Sequence, residues 1–238
     1  MALVLHKANT RGHANHGWLD SWHTFSFAGY YNPERINFGA LRVLNDDTVA
    51  PGMGFGKHPH DNMEIISIPL EGDLEHEDSM GTRQVIRNGD VQVMSVGTGI
   101  QHSEKNKNKD QQVKFLQIWV FPKERNVAPR YDQRTFTDEE KTNTLRVVVS
   151  PVGTSEGVNI HQDAWFSLGM LEKGTELTYN LHKPSHGVYA FLLDGDLTIN
   201  HVAMNKRDGL GITETEILNI RADEHAKLLL MEVPMQLN

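Results

Sequence analysis

The chain of 238 residues carries 31 acidic and 23 basic side chains, for a formal net charge of -8. The basic residues are scattered, so no electrostatic footprint for direct nucleic-acid binding exists. A hydrophobic content of 38% suffices for one large all-β domain or two small ones. The absence of cysteine excludes disulfides, thiolate metal sites and cysteine nucleophiles, and leaves His, Asp and Glu to hold any metal.

The opening stretch MALVLHKANTRGH lacks a basic segment followed by a long apolar core, and no apolar run approaches the ~20 residues of a membrane span. A cytoplasmic protein is expected. Histidine is the compositional outlier at 13 residues, and eight of them (His6, His13, His16, His23, His58, His60, His76 and His102) fall in the first 102 positions. The aromatic cluster Trp18, Trp22, His23, Phe25, Phe27, Tyr30 and Tyr31 can either line a pocket mouth or pack a core. Core packing is the commoner fate of such residues.

Short apolar-alternating runs then follow between Gly, Asn and Asp turns: FGALRVLNDD, MEIISIPLEGDLEHED, RQVIRNGDVQVMSVG and KFLQIWVFP. Their spacing predicts an antiparallel sandwich or barrel. From Pro122 to Thr144 the sequence is polar and reads as a connector, with one helical turn at Thr137–Lys141 introduced by the capping-box pattern Thr137-Asp-Glu-Glu. Strand patterns resume in LRVVVSP, AWFSLGMLEKG, ELTYNLHK, GVYAFLLDGDLTIN and KLLLMEVP. The turn Leu70-Glu-Gly72-Asp73-Leu74 is echoed by Leu193-Asp-Gly195-Asp196-Leu197, which points to an internal duplication.

The chemistry concentrates in the first copy. In a strand, His58 and His60 share a face with Cα atoms ~6 to 7 Å apart, so both can grip one ion. Pro59 between them cannot donate to a ladder, which places the segment at an edge, a strand start or a bulge. A Gly-rich turn, Ser95-Val-Gly-Thr-Gly, leads into a second same-face pair, His102 and Glu104. An isolated H-x-H is more often a polar strand face than a site; the ordered series of two such pairs reverses that judgement. Three imidazoles and one carboxylate suit Fe(II), with Mn, Ni, Cu, Co or Zn as other candidates. Glu64 has the parity of His58 and His60 and can be a ligand or a neighbouring base, and His76 is either a supporting group or a surface residue. Aligning the two Gly-Asp turns puts Leu181 and Lys183 where the first copy has His58 and His60. The later histidines (His161, His182, His186, His201 and His225) show no such pairing, and solvated or hydrogen-bonded surface positions are expected for them.

These residues resemble a cupin and, within the cupins, the pirin family. The resemblance rests on His58-Pro-His60 with Glu64, LEGDLEHEDSMG (Leu70–Gly81), NGDVQVMSVGTGIQHSE (Asn88–Glu104) and LQIWV (Leu116–Val120). RGHANHGWLDSWHTFSFAGYYNP, from Arg11 to Pro33, is similar to the bacterial branch with quercetinase-like members. The resemblance is strong to about residue 133 and mainly architectural beyond. It implies an all-β bicupin of two antiparallel β-barrel (jelly-roll) domains packed face to face. Residues 1–133 would bear the metal, and residues 134–238 would lack ligands. The family's ligand set falls on His58, His60, His102 and Glu104, with Fe(II) the expected ion and Glu64 beside the ligands rather than among them. The implied activity is that of a quercetin 2,3-dioxygenase, opening the ring of a flavonol with O2 and releasing carbon monoxide, with Glu104, or Glu64 through a water, as the base. The alternative is a metal- or redox-sensing pirin that regulates a transcription regulator or metabolic enzyme. A cupin with isomerase or storage chemistry fits the motifs poorly.

Overall fold

The computed structural model describes residues 1–237. Among these residues nearly every element is a strand; the exceptions are a 3-10 turn at Ala8–Thr10 and one helical turn at Asp138–Lys141. That helical turn is capped as the sequence predicts: the Thr137 side chain accepts from the Glu140 N–H, and the Glu140 carboxylate accepts from the Thr137 N–H at 2.9 Å.

The strands form two seven-stranded and two four-stranded sheets, one of each size per half. The first large sheet runs in the order Arg130–Thr135, Asp90–Ser95, Glu64–Glu71, Val113–Val120, Leu41–Val49, Leu19–His23, Gly12–Asn15. The second runs Ala2–His6, Gly209–Thr213, His186–Asp194, Ala226–Pro234, Trp165–Leu171, Arg146–Pro151, Val158–Ile160. The four-stranded sheets are Gly54–His60, Ile100–Asn106, Leu74–Asp78, Arg83–Ile86 and, in the same order, Glu176–Asn180, Ile217–Ala222, Asp196–Ile199, Val202–Asn205. Each half is thus a jelly roll of two facing sheets rather than a closed barrel. The pairing is antiparallel throughout these strands except where Arg146–Pro151 lies parallel to Val158–Ile160.

The duplication extends to the turns. Gly72 and Gly195 both take left-handed backbone, with φ of 72° and 81°, at equivalent corners of the two small sheets. One exchange breaks the sequence order. Strand Ala2–His6 pairs with Gly209–Thr213 and so edges the second half's sheet. The polar stretch read as connector supplies strand Arg130–Thr135, which edges the first. That strand carries no apolar face of its own, because it covers an edge beside Asp90–Ser95 instead of filling a core. The Asn-Asp-Asp that ends FGALRVLNDD is likewise no turn: the strand continues from Leu41 to Val49.

The two large sheets pack against each other through one apolar core that joins Ile66, Leu116 and Ile118 to Phe166, Phe191 and Leu229. Each such side chain stabilises the fold by about 1.5–3 kcal/mol on burial. The second jelly roll is filled by another apolar cluster that includes Val188, Leu197, Leu218 and Leu230. The first is different. Its interior holds only two small clusters, around Phe115 and around Ile65, with polar groups between them. No helix among the described residues is long and apolar enough to cross a membrane.

Candidate metal centre

The hollow first jelly roll contains the histidine pairs. Strand Gly54–His60 lies antiparallel to Ile100–Asn106, with His58 directly opposite His102 and a β-bulge before the Glu104–Phe55 pair. The extra residue in the His58 strand lets the Gly56 carbonyl turn back to accept from His58 Nδ1 at 2.8 Å, which leaves the other ring nitrogen free to point inward. The rings of His58, His60 and His102 sit 4.5 to 5.0 Å apart, centroid to centroid. Their ligating nitrogens lie within 4.8 Å of one another.

Three buried nitrogens in this cluster, His60 Nε2 and both ring nitrogens of His102, have no hydrogen-bond partner among the described residues. Unpartnered buried imidazole nitrogens are costly unless something accepts their lone pairs, and a divalent ion does so. Burial first, and the neighbouring imidazoles second, lower the His60 pKa to about 4 and the His102 pKa to about 3. Both rings are therefore neutral, as ligands must be, near neutral pH. The residues present fit a bound metal.

Glu104 stands next to His102 and shares a second ligating set with His102 and His76 within the same 4.8 Å limit. Its carboxylate accepts from Ser67 Oγ at 2.9 Å and from Gln117 Nε2 at 2.5 Å, which fixes its orientation. His76 is fully buried behind the cluster, its ring 5.4 Å from that of His102 and its Nε2 3.1 Å from Asp78. It supports the ligand strand from below and is no surface residue.

Glu64 lies elsewhere. The turn at Asn62, with φ 46°, separates it from His60 and breaks the parity counted along the sequence. Its carboxyl faces the other half of the protein, near the backbone of His161, and accepts from Ser95 Oγ at 2.6 Å. On the side of the same strand that faces Glu104 is Ser67. Burial pushes the Glu64 carboxyl up to about 7, against the Ser95 hydrogen bond. A pKa raised on folding adds stability that is complete below the unfolded value near 4.5 and is lost as the pH rises through about 7. Glu64→Gln should therefore nearly match the wild type in urea unfolding at pH 4.5 and exceed it at pH 8 by about 3 kcal/mol. Equal curves at both pH values would show that Glu64 stays neutral or is solvated.

A pocket of about 830 Å³ opens above the cluster, with His58, His60 and Glu104 on its floor. Trp18, Leu19, Phe27, Tyr30, Phe55 and Trp119 make its apolar walls, and Ser21, His23, Asn45, Asp47 and Gln117 make a polar one. The N-terminal aromatics thus divide by strand face. Trp18, His23, Phe27 and Tyr30 line the pocket, and Phe25 is core. Trp22 points away and stacks on His13 at 4.1 Å, and Tyr31 is 74% exposed. Asn45, Asp47, Ser67 and Gln117 were not singled out from the sequence. The available signal was their alternation with buried apolar residues inside strands.

In the second half, sheet register sets Tyr179 and Leu181 where His58 and His60 stand in the first, and Lys183 lies beyond strand Glu176–Asn180. Lys183 pairs with Asp163 at 3.1 Å, and Leu181 packs against the second core. His182 and His186 surround the buried Glu232, so His186 is interior and not a surface residue. Among the described residues, clusters of three or more ligating side chains lie only in the first half.

Comparison with known proteins places this architecture. The Pirin family model matches residues 4–120, and that of the quercetinase C-terminal cupin domain matches residues 147–233. The chain is 43% identical over 232 residues to a quercetin 2,3-dioxygenase of Escherichia coli (strain K12), covering 98% of this chain and 99% of that protein. It belongs to the pirin family. The crystal structure of the pirin YhhW from Escherichia coli superposes with a TM-score of 0.94 at 42% identity over 100% of both chains. A crystal structure of YhhW in complex with nickel(II) superposes with a TM-score of 0.92 at 42% identity, over 98% of this chain and 99% of that one. The bicupin architecture expected from the motifs is the one this pirin adopts.

Proposed function

We propose that this pirin is a metal-dependent quercetin 2,3-dioxygenase, which opens the heterocyclic ring of a flavonol with O2 and releases carbon monoxide. The observation that carries the reading is the convergence of unpartnered, buried imidazole nitrogens at the floor of a deep pocket walled by aromatic side chains. The activity named for the Escherichia coli relative supports it.

His58, His60, His102 and Glu104 would hold one divalent ion, Fe(II) being the expected one. A nickel(II) complex of a homologue supports a divalent metal in this fold. Bound there, the ion would supply a Lewis acid for the flavonol 3-oxygen and a place for O2. The chain's own residues do the rest. Glu104, held by Ser67 and Gln117, would accept the 3-hydroxyl proton. Trp119, packed edge-on against His60 at 4.9 Å and against Phe27 at 5.4 Å, would form with Phe27 and Phe55 an apolar wall for a flat aromatic substrate and keep water out.

Residues 1–133 form the metal-bearing domain in this reading, with strand Ala2–His6 lent to the domain of residues 134–238. A cytoplasmic location without direct nucleic-acid contact completes it. A deep pocket favours catalysis over the regulatory alternative, which requires only a metal-linked surface.

The test is anaerobic reconstitution with Fe(II), addition of quercetin, and admission of O2. Loss of the flavonol absorbance band with release of carbon monoxide, absent from metal-free protein, is the expected result. Stoichiometric metal without flavonol loss, with Fe(II) and equally with Ni(II), Mn(II), Cu(II), Co(II) and Zn(II), would overturn the reading.

A further inference from the structure

The metal floor accounts for one end of the pocket only. On its polar wall, register places Ser21 opposite Asp47 and His23 opposite Asn45, and Asn45 in turn opposite Gln117. The four side chains Ser21, His23, Asn45 and Asp47 form a patch on two adjacent strands, each 3% exposed and each lining the pocket. His23 lies two strands from Gln117, about 10 Å away at the usual spacing. Gln117 holds Glu104, so the patch begins one strand spacing, about 5 Å, from the residue that fixes the metal floor and extends a further strand to His23.

The patch is short of partners in a definite way. Asp47 is buried with no cation beside it, in contrast to Asp46, which pairs with Arg11 and Arg207 on the opposite face of the strand. Its one hydrogen bond comes from Ser21 Oγ to Oδ1, and Oδ2 receives none. His23 Nδ1 meets Asn45 Oδ1 at 3.0 Å, so the ring donates there and offers Nε2 as an acceptor. Burial, with the Asp46 and Glu104 charges adding to it, pushes the Asp47 carboxyl up to about 7, in spite of the Ser21 hydrogen bond. A buried carboxyl without a cation weakens the fold, and its presence beside a pocket calls for a ligand that pairs with it.

We propose that Asp47, with His23 and Asn45, is a recognition subsite for phenolic hydroxyl groups on the part of the substrate that extends from the metal floor along the polar wall. Two acceptors on one wall, the free Asp47 oxygen and His23 Nε2, offer partners to the two donors of a catechol ring. The substrate class is then a flavonol with a dihydroxylated pendant ring, oriented with its chelating oxygen at the floor. This deepens the proposed function and rests on it for the flavonol identity; the preference for vicinal hydroxyls rests on the patch alone.

The test is equilibrium binding under anaerobic conditions to metal-loaded protein. The probes are quercetin, the same flavonol without pendant-ring hydroxyls, and catechol beside benzene. Wild-type protein should prefer quercetin over the bare-ring flavonol by about ten- to a hundredfold, the range for hydrogen bonds to a charged group. Asp47→Leu should abolish that preference. Asp47→Asn keeps the shape without the charge, so it guards against a folding defect; it should cut the preference severalfold while raising the thermal midpoint. A purely structural Asp47 would lower the midpoint and leave the preference intact, which overturns the subsite. A wild type that shows neither preference overturns it as well. If neither flavonol binds but catechol still prefers wild type over Asp47→Leu, the subsite stands and the flavonol reading falls.

Discussion

His102→Ala is expected to reduce bound metal from about one ion per chain to none and to lower O2-dependent flavonol loss by a thousandfold or more. Partners one step removed from a metal already cost about 10- to 100-fold when mutated, and His102 is itself at the centre of the cluster. Its ring lies 4.5 Å from that of His58 and 5.0 Å from that of His60. The metal-free variant should still fold. Truncation opens a cavity, but it also removes two buried ring nitrogens that have no hydrogen-bond partner, so the two costs partly offset and the net change stays within about 2 kcal/mol. The sharpest readout is the thermal midpoint with and without metal. Wild type gains about 2.7 kcal/mol at a hundredfold excess of ion over Kd, and the variant gains nothing. An equal metal-dependent rise in both proteins would place the ion elsewhere.

The largest stability effect is expected at Glu232 in the second half. This fully buried carboxylate accepts from Tyr179 OH at 2.7 Å, from the His182 and Lys183 N–H groups at 3.0 and 3.1 Å, and contacts the rings of His182 and His186 at 2.8 and 3.0 Å. Glu232→Ala strands several buried donors and should cost about 3–5 kcal/mol in chemical denaturation. Burial alone would raise the Glu232 pKa; the histidine, backbone and tyrosine donors overcome it and hold the carboxyl down to about 2. A pKa depressed on folding adds stability above the unfolded value near 4.5 that is lost as the pH falls toward 2. The gap between wild type and Glu232→Gln should be full at pH 6, narrow below pH 4.5 and close near pH 2. A gap independent of pH would mean that the carboxylate contributes by shape and not by charge.

The clustering of the histidine pairs was legible because strand geometry has a period of two, and His58 with His60 and His102 with Glu104 each fall two residues apart within one strand. The same rule misplaced Glu64, since parity does not survive the left-handed Asn62 between His60 and the next strand. Asn45 and Asp47 escaped notice because Asn-Asp-Asp is turn chemistry locally. Here pairing to strands on both sides keeps the segment extended, and tertiary context overrides propensity. Strand Arg130–Thr135 was hidden for a related reason: an edge strand that buries no side of its own needs no alternating pattern. The fold class was carried by Gly-Asp turns and motif order, which survive duplication even where the ligands do not.

The exchanged edge strand bears on how the chain is made. Ala2–His6 is synthesised before nearly all the rest, yet its partner Gly209–Thr213 comes near the end; Lys7 and Asp208, which meet at 2.8 Å, are 201 residues apart. The equilibrium cost of closing so long a loop is small, about 0.6 kcal/mol for each doubling of length. The kinetic consequence is larger. The first jelly roll can close once Arg130–Thr135 has left the ribosome, while the leading strand remains an unpaired β-segment on the nascent chain until its partner arrives. Slowing translation late in the message would prolong that exposure, so yield of soluble protein should depend on elongation through the second half.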